Sequence, residues 1–162
     1  KKVLVVMGSD SDLKVMEKCV DRLKSFDIPT EVRICSAHRT PAVAEQLAKN
    51  AAAEGFGVII AAAGKAAHLG GVLAAYTTLP VIGVPMATSV MGGMDSLLSI
   101  VQMPKGIPVA TVAIDGADNA AILAAQMIAL SDDALAQKLA QFKADMAAEV
   151  TAKDEKVRAQ FA

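Results

Sequence analysis

The sequence predicts an α/β fold: a three-layer α/β/α sandwich with a doubly wound parallel sheet, flavodoxin-like or Rossmann-like, plus a long C-terminal helix. Short apolar runs alternate along the chain with stretches of helical spacing or high glycine content. Runs such as residues 3–7 and 58–62 are apolar throughout, which is typical of strands that helices cover on both faces of a sheet. At 162 residues, 54% of them hydrophobic, the chain has the size of one folded core. We therefore expect a single domain over residues 1–162.

The first predicted unit is strand, helix, strand. Residues 3–7 (VLVVM) form an apolar run that ends at Gly8, and residues 31–35 form the next extended run after a break at Ile28 and Pro29. Apolar residues at helical spacing connect the two runs: Leu13, Met16, Val20 and Leu23. A helix between two strands predicts a right-handed crossover and a parallel sheet.

A second helix and three further strands complete the predicted sheet. The helix begins at Pro41, because the missing N–H of proline costs nothing at the first helical position. It is predicted to run to about Gly55, which we interpret as its C-cap. The remaining strands are predicted at residues 58–62, 81–84 and 109–114.

Two helices are predicted to close the chain, one over residues 119–130 and a long one that begins at Asp132. The long helix carries an apolar stripe: Leu135, Leu139, Phe142, Met146 and Val150. Such a stripe indicates core or subunit interface rather than a binding groove. Residues 153–158 are charged except for Val157 and predict a solvated face.

The composition favours a small-molecule ligand. Sixteen Lys and Arg against seventeen Asp and Glu leave a formal charge of -1, which argues against nucleic acid or an anionic membrane as partner. Aromatic residues make up only 3% of the chain, so stacking platforms for bases are not expected. The high apolar content of so short a chain predicts a homo-oligomer in which some of that surface is buried between subunits.

The two cysteines and the lack of a long apolar run predict a cytoplasmic protein. Cys19 and Cys35 have neither CxxC nor metal-type spacing, and we interpret them as small buried hydrophobic residues in a reducing compartment. No metal cluster is visible in the sequence. The apolar start at residues 3–7 is too short for a signal peptide, and no run approaches the length of a membrane span.

Three loops after predicted strands are polar or rich in glycine, and ligands of open parallel sheets bind at the carboxyl ends of the strands. The first loop, residues 8–12 (GSDSD), leads from a buried strand into a helix. Its hydroxyls and the free N–H groups of the helix suit an anion such as phosphate, although the spacing is not that of a P-loop or dinucleotide fingerprint. The alternative is that Ser11 or Asp12 only caps the helix.

The second loop, residues 36–41 (SAHRTP), places His38 beside Arg39 directly after a strand. Imidazole titrates near neutral pH, and guanidinium binds phosphate through paired hydrogen bonds. The two residues therefore offer a proton carrier next to an anion site. The alternative is a purely structural role for His38.

The third loop, residues 64–71 (GKAAHLGG), supplies Lys65 and His68. Its glycines let the backbone approach a ligand closely. The alternative is that this segment is a hinge or the start of a helix.

Five segments of the chain have the sequences and the order of one known family. They are residues 7–12 (MGSDSD), 36–41 (SAHRTP), 66–69 (AAHL), 83–85 (GVP) and 95–108 (DSLLSIVQMPKGIP). The chain thereby resembles the class I N5-carboxyaminoimidazole ribonucleotide mutases of purine biosynthesis over nearly its whole length. The SAHRTP segment and SIVQMP at residues 99–104 are more specific than any single glycine motif.

The resemblance implies a cofactor-free isomerase that moves a carboxylate from the exocyclic nitrogen to a ring carbon of aminoimidazole ribonucleotide. His38 would be the catalytic residue, donating a proton to the nitrogen and then removing the ring proton. The residues implied in substrate binding are Ser9, Ser11, Ser36 and Arg39 for the 5'-phosphate, Asp12 for the ribose hydroxyls, and Gly64, Lys65, Ala66, His68 and Leu69 for the carboxylate and carbon dioxide. The segment 103–108 would help to exclude water.

Two residues of the third loop depart from the family pattern. Where many relatives have GAGGAAHLPG, this chain has AAGKAAHLGG at residues 62–71, so that Lys65 replaces a glycine and Gly70 a proline. The conformation of this loop is therefore the part least directly implied by the resemblance.

Two other functions fit parts of the sequence. The first is the class II activity, direct carboxylation of aminoimidazole ribonucleotide by carbon dioxide on the same fold, against which the AAHL segment favours class I. The second is a non-catalytic nucleotide-binding or flavin-binding module, against which the pairing of His38 with Arg39 argues. The resemblance also implies an octamer and functional coupling to the ATP-dependent N5-carboxyaminoimidazole ribonucleotide synthetase.

Overall fold

A computed structural model describes residues 1–162 and has a five-stranded parallel sheet at its centre. The strands are β1 (Lys2–Met7), β2 (Thr30–Ile34), β3 (Phe56–Ala63), β4 (Val81–Pro85) and β5 (Ala110–Thr111). Their spatial order is β2-β1-β3-β4-β5, and every neighbouring pair is parallel. The direction of winding reverses between β1 and β3, so that the flavodoxin-like alternative of the prediction is correct.

Six α-helices flank the sheet: α1 (Leu13–Ser25), α2 (Pro41–Asn50), α3 (Leu69–Tyr76), α4 (Met94–Val101), α5 (Ala117–Ala129) and α6 (Asp133–Gln160). A single 3-10 turn, Asp10–Asp12, precedes α1. Pro41 occupies the first turn of α2 as predicted. Asp132 is the N-cap of α6, because its carboxylate accepts a hydrogen bond from the N–H of Leu135 at 3.0 Å.

The two faces of the sheet carry separate apolar cores. Val3, Val5 and Met7 of β1 pack on the side of α1, α5 and the start of α6, whereas Leu4 and Val6 pack on the side of α2, α3 and α4. Successive side chains of a strand point to opposite faces. Both faces of β1, β3 and β4 are covered, and this is why these strands are continuous apolar runs, whereas the edge strand β2 carries Glu31 and Arg33 and is largely exposed.

Two predicted boundaries are wrong. Helix α2 ends at Asn50 rather than near Gly55, since the turns that follow have irregular hydrogen bonds: Gly55 N donates to Ala52 O, three residues back, and Phe56 N to Ala51 O, five residues back. Gly55 has a φ of +88°, so it ends that turn segment rather than the helix itself.

Strand β5 is only two residues long, rather than the predicted 109–114. It lies at the sheet edge, where only Ile82 and Gly83 of β4 pair with it. The chain nevertheless stays beside β4, because Val112 N donates to Gly83 O and Asp115 N to Pro85 O.

The predicted stripe of α6 is only half covered by the fold. Leu135 is buried, and Phe142 packs edge-to-face against Phe26 with ring centroids 5.6 Å apart. Further along the helix, Met146 is 44% exposed and Val150 66% exposed. The first half of the stripe is core, and the second half has no covering surface within the chain.

Both cysteines are free and buried, as predicted. Burial raises the pKa of the Cys19 thiol to about 12, so this thiol is unreactive in the folded chain. None of the six helices combines the length and the apolar character needed to cross a membrane.

Gly83 is required where α4 lies against β4. An added Cβ would lie 2.3 Å from Cγ2 of the buried Ile100 and 3.0 Å from Cγ1 of Val109. We expect Gly83→Ala to lower the free energy of unfolding by about 1–3 kcal/mol, measured by urea denaturation, because neither neighbour can move freely. Gly70→Ala is the matched control, since its Cβ would meet Val109 at an ordinary 3.6 Å. Equal stability of the two variants would contradict this account.

Candidate active site

Four loops at the carboxyl ends of neighbouring strands enclose a pocket of about 460 Å³. The sheet reverses its winding at this place, which is where ligands of such folds bind. The lining residues are Gly8, Ser9, Ser11 and Asp12 after β1, Ser36, Ala37, His38 and Arg39 after β2, Ala63, Gly64, Lys65, Ala66, His68 and Leu69 at the end of β3, and Met86, Ala87, Thr88 and Ser89 after β4. All eleven predicted site residues are in this set.

In the first loop, Ser9 is the capping residue. Its Oγ accepts hydrogen bonds from the N–H of Ser11 at 3.3 Å and from the Ser11 hydroxyl at 3.0 Å. Asp12 occupies the N-cap position of α1 without a capping hydrogen bond from its side chain. The alternative in which Ser11 or Asp12 caps the helix is therefore wrong, because the intervening 3-10 turn transfers capping to Ser9 and leaves Asp12 beside the pocket.

Asp12 is 9% exposed, and this burial raises the pKa of its carboxyl above the ordinary value. Hydrogen bonds with Ser11 and Ser9 oppose the effect, and the charge of Asp115 adds to it. A raised pKa means that the folded chain binds this proton more tightly than the unfolded chain does. The stabilisation from the bound proton is therefore complete below about pH 3.9, is lost as the pH rises through the raised pKa, and changes no further above it.

We expect Asp12→Asn to unfold at higher denaturant concentration than the native chain at neutral pH. The difference should vanish towards about pH 3, where the native carboxyl is protonated in both states. Denaturant titrations at both pH values measure it, with Asp21→Asn on α1 as an exposed control whose charge is not among those that shift the pKa of Asp12. An Asp12→Asn variant less stable than the native chain at neutral pH would contradict the account.

In the second loop, Ser36 organises the backbone. The N–H of Arg39 donates to Ser36 Oγ at 3.1 Å, and Arg39 Nε donates to the same oxygen at 3.4 Å. The Ser36 N–H donates to Thr40 Oγ1 at 3.0 Å, and the Thr40 hydroxyl donates to Ser36 O at 3.0 Å. Because Ser36 Oγ accepts both hydrogen bonds from Arg39, the proton of the Ser36 hydroxyl remains free to donate to an anion.

The second and third loops bring the only two histidines together. His38 Nε2 and His68 Nδ1 lie 2.7 Å apart, and the rings meet edge to face. At this distance one of the two nitrogens donates a hydrogen bond to the other, with the direction set by the tautomers, while His38 Nδ1 and His68 Nε2 have no hydrogen-bond partner within the chain. His38 is exposed, so packing does not account for its position.

The third loop is both a pocket wall and the start of a helix. His68 directly precedes α3, so the helix-start alternative is correct for its second half. Lys65 has a φ of +59° and forms none of the ion pairs of the chain. Its carbonyl accepts a 3.3 Å hydrogen bond from the Ser99 hydroxyl on α4. Lys65 and Arg39 are thus two cationic side chains on the wall of one pocket.

The fourth wall, residues 86–89, was not predicted as part of the site. Its residues carry no titratable group, but they follow a predicted strand, and that position was the available signal. The segment 103–108, expected to exclude water, does not line this pocket; Met103 lies instead near Gly71 of α3. No group of three or more His, Cys, Asp or Glu side chains is placed to hold a metal ion.

The chain is thus an α/β protein with a flavodoxin-like sheet. Where the winding of the sheet reverses, hydroxyls, a guanidinium and paired imidazoles form a site suited to a small phosphorylated ligand. The family model described as AIR carboxylase matches residues 2–149, and the chain belongs to this family. It is 52% identical over 159 residues to the N5-carboxyaminoimidazole ribonucleotide mutase of Methanocaldococcus jannaschii, covering 98% of this chain and 99% of that one.

Two further relatives support the same grouping. The N5-carboxyaminoimidazole ribonucleotide mutase of Mycobacterium leprae is 54% identical over 94% of this chain and 90% of its own. The crystal structure of Treponema denticola PurE superposes with a TM-score of 0.87 at 31% identity, covering 95% of this chain and 96% of that one. The family resemblance inferred from the five sequence segments is confirmed.

Proposed function

We propose that residues 1–162 form one mutase domain that converts N5-carboxyaminoimidazole ribonucleotide to 4-carboxy-5-aminoimidazole ribonucleotide in de novo purine biosynthesis. The observation that carries this proposal is the single pocket in which phosphate-binding groups and a histidine pair converge. The names of the relatives, which cover nearly all of this chain, support the reaction assigned.

Ser9, Ser11, Ser36 and Arg39 bind the 5'-phosphate. Ser36 donates its proton outward, since its oxygen accepts from Arg39, and the Arg39 guanidinium supplies the positive charge. Asp12 binds the ribose hydroxyls, because its carboxylate lies on the same wall and accepts hydrogen bonds when charged.

The reaction needs a proton carrier rather than a cofactor. His38 donates a proton to the exocyclic nitrogen as the nitrogen–carboxyl bond breaks, and the bond electrons stay on nitrogen while carbon dioxide leaves. The electron-rich ring carbon then attacks that carbon dioxide, and His38 takes the proton from the same carbon. The imidazole thereby returns to its starting protonation state. The 2.7 Å contact with His68 Nδ1 orients the His38 ring through this cycle.

The Gly64–Leu69 wall retains carbon dioxide between the two bond changes. Gly64, Ala66 and Leu69 leave room for a small apolar molecule, whereas Lys65 and His68 provide polar groups for the carboxylate. Lys65 adopts a left-handed backbone conformation that costs about 1–3 kcal/mol for a residue other than glycine. We interpret this backbone strain as offset by the positive charge that the Lys65 side chain places beside the carboxylate of the substrate.

The class II carboxylation remains the second candidate, and a comparison of substrates separates the two. The mutase proposal predicts fast, ATP-independent conversion of the nitrogen-carboxylated substrate and slow use of aminoimidazole ribonucleotide with bicarbonate. The reverse preference would support class II. No turnover of either compound, with tight ribonucleotide binding, would support the non-catalytic module.

The active form is a homo-oligomer of eight chains, and it is located in the cytoplasm. The exposed apolar residues Met94 and Leu98 of α4 and Val150 of α6 support association. Light scattering tests it, and a stable monomer at micromolar concentration would contradict it. Because the nitrogen-carboxylated substrate is labile, we also propose functional coupling to the ATP-dependent synthetase that produces it.

A further inference from the structure

Side chains outside the pocket hold its fourth wall, residues 86–89, in place. The Thr88 hydroxyl donates to Asp95 Oδ1 at 2.9 Å. The N–H of Ala87 donates to Asp115 Oδ1, also at 2.9 Å. Asp115 follows β5 and does not itself line the pocket.

Asp115 maintains a backbone conformation that favours glycine. Its φ is +56°, in the left-handed region, which aspartate adopts less easily than glycine although more easily than most residues. Its N–H donates to Pro85 O at 2.8 Å, while its carboxylate accepts from Ala87. The residue therefore binds the backbone on both sides of Met86, where β4 ends.

The carboxylate of Asp115 has one hydrogen-bond partner in the chain, the N–H of Ala87. The side chain is exposed and forms none of the ion pairs, so it contributes neither to the core nor to a charge pair. A glycine at this position would make the same turn without strain. What aspartate adds is the acceptor for the wall and a negative charge that acts on Asp12; Asp115→Gly and Asp115→Asn both remove the charge, so only the acceptor differs between them.

The wall in turn supports the third loop. A Cβ at Gly64 would lie 3.5 Å from Met86 Cβ and 3.8 Å from Thr88 Cγ2, so Met86 and Thr88 define the space behind Gly64. A shift of the wall would therefore change the position of Gly64, at the end of the pocket assigned above to the carboxylate. Small displacements of groups that orient a substrate have large effects on rate.

We propose that Asp115 is a positioning residue of this site: its carboxylate, by holding the N–H of Ala87, fixes residues 86–89 and through them Gly64. This inference rests on the proposed mutase function for its kinetic consequence, but the contact itself is independent of the reaction.

The test compares Asp115→Gly with Asp115→Asn. Glycine keeps the turn and removes the acceptor, whereas asparagine tolerates the same backbone and keeps an amide oxygen for Ala87. For Asp115→Gly we expect KM for the nitrogen-carboxylated substrate to rise about two- to tenfold, with the thermal midpoint unchanged or higher. Asp115→Asn should restore a KM close to that of the native chain.

Two further experiments separate the loss of the hydrogen bond to Ala87 from the relief of backbone strain. Amide hydrogen exchange over residues 86–89 without substrate should be faster in Asp115→Gly than in the native chain and in Asp115→Asn. Asp27→Gly is a control for KM, since Asp27 is also exposed, has a φ of +56° and lies outside the pocket, although this variant also loses the ion pair with Lys138. It should relieve similar strain and leave KM unchanged.

Native exchange in Asp115→Gly, or the same defect in both Asp115 variants, would overturn the proposal. If the native protein converts no substrate, the proposed function fails, while the exchange measurement still decides the role of Asp115.

Discussion

Replacing His38 with asparagine should lower kcat by about 10²- to 10⁴-fold, because both proton transfers of the proposed mechanism use this imidazole. Asparagine is of similar size and can still hydrogen-bond His68, so the pocket should keep its shape. Steady-state kinetics on the nitrogen-carboxylated substrate measure the loss. Calorimetry should show that the ribonucleotide still binds, since the proposal assigns phosphate recognition to Arg39 and the serines.

The control is a binding and unfolding comparison of the same variant with the native chain. A variant that folds and binds but does not turn over separates chemistry from structure. Near-normal kcat in His38→Asn would remove His38 from the mechanism and, with it, the assigned route of the proton.

Arg39→Ala should weaken binding of the ribonucleotide by about ten- to a hundredfold, since a charge-assisted hydrogen bond contributes about 1.5–3 kcal/mol. The matching nucleoside lacks the phosphate, and its affinity should change little. Calorimetric titration of both ligands measures the difference. Arg33→Ala is a suitable control, because Arg33 is an exposed arginine of β2 that pairs with Glu31 and lies outside the pocket. Equal losses for both ligands would assign Arg39 a structural role.

The inner strands β1, β3 and β4 could be predicted because burial on both faces makes them continuous apolar runs. Residues 3–7 and 58–62 lie within β1 and β3 for this reason. The length of β5 could not be predicted in the same way. Residues 109–114 are equally apolar in sequence, but the strand lies at the sheet edge, and pairing with β4 stops after Thr111. Apolar residues in the sequence indicate burial, whereas the length of a strand depends on how far the neighbouring strand pairs with it.

The site was predictable where chemistry marks the residues. His38, Arg39 and His68 are titratable or cationic and follow strands, so their loops stood out. Ala87 and its neighbours have no such groups, and they enter the site only because β4 ends beside β3. The 2.7 Å contact between His38 and His68 was also beyond the sequence, because it depends on the order of the strands across the sheet.

The most direct test of the mutase proposal follows the carboxylate itself. The nitrogen-carboxylated substrate, labelled in its carboxylate, is given to the protein in unlabelled bicarbonate without ATP, biotin or added metal. In a mutase, carbon dioxide is released and recaptured inside the pocket, where it is held next to the ring carbon. The account predicts that the carbon-carboxylated product keeps most of the label, after correction for spontaneous breakdown of the substrate. Product that carries mainly unlabelled carboxylate, formed only as fast as the substrate decomposes, would contradict the account and assign the chain direct carboxylation instead.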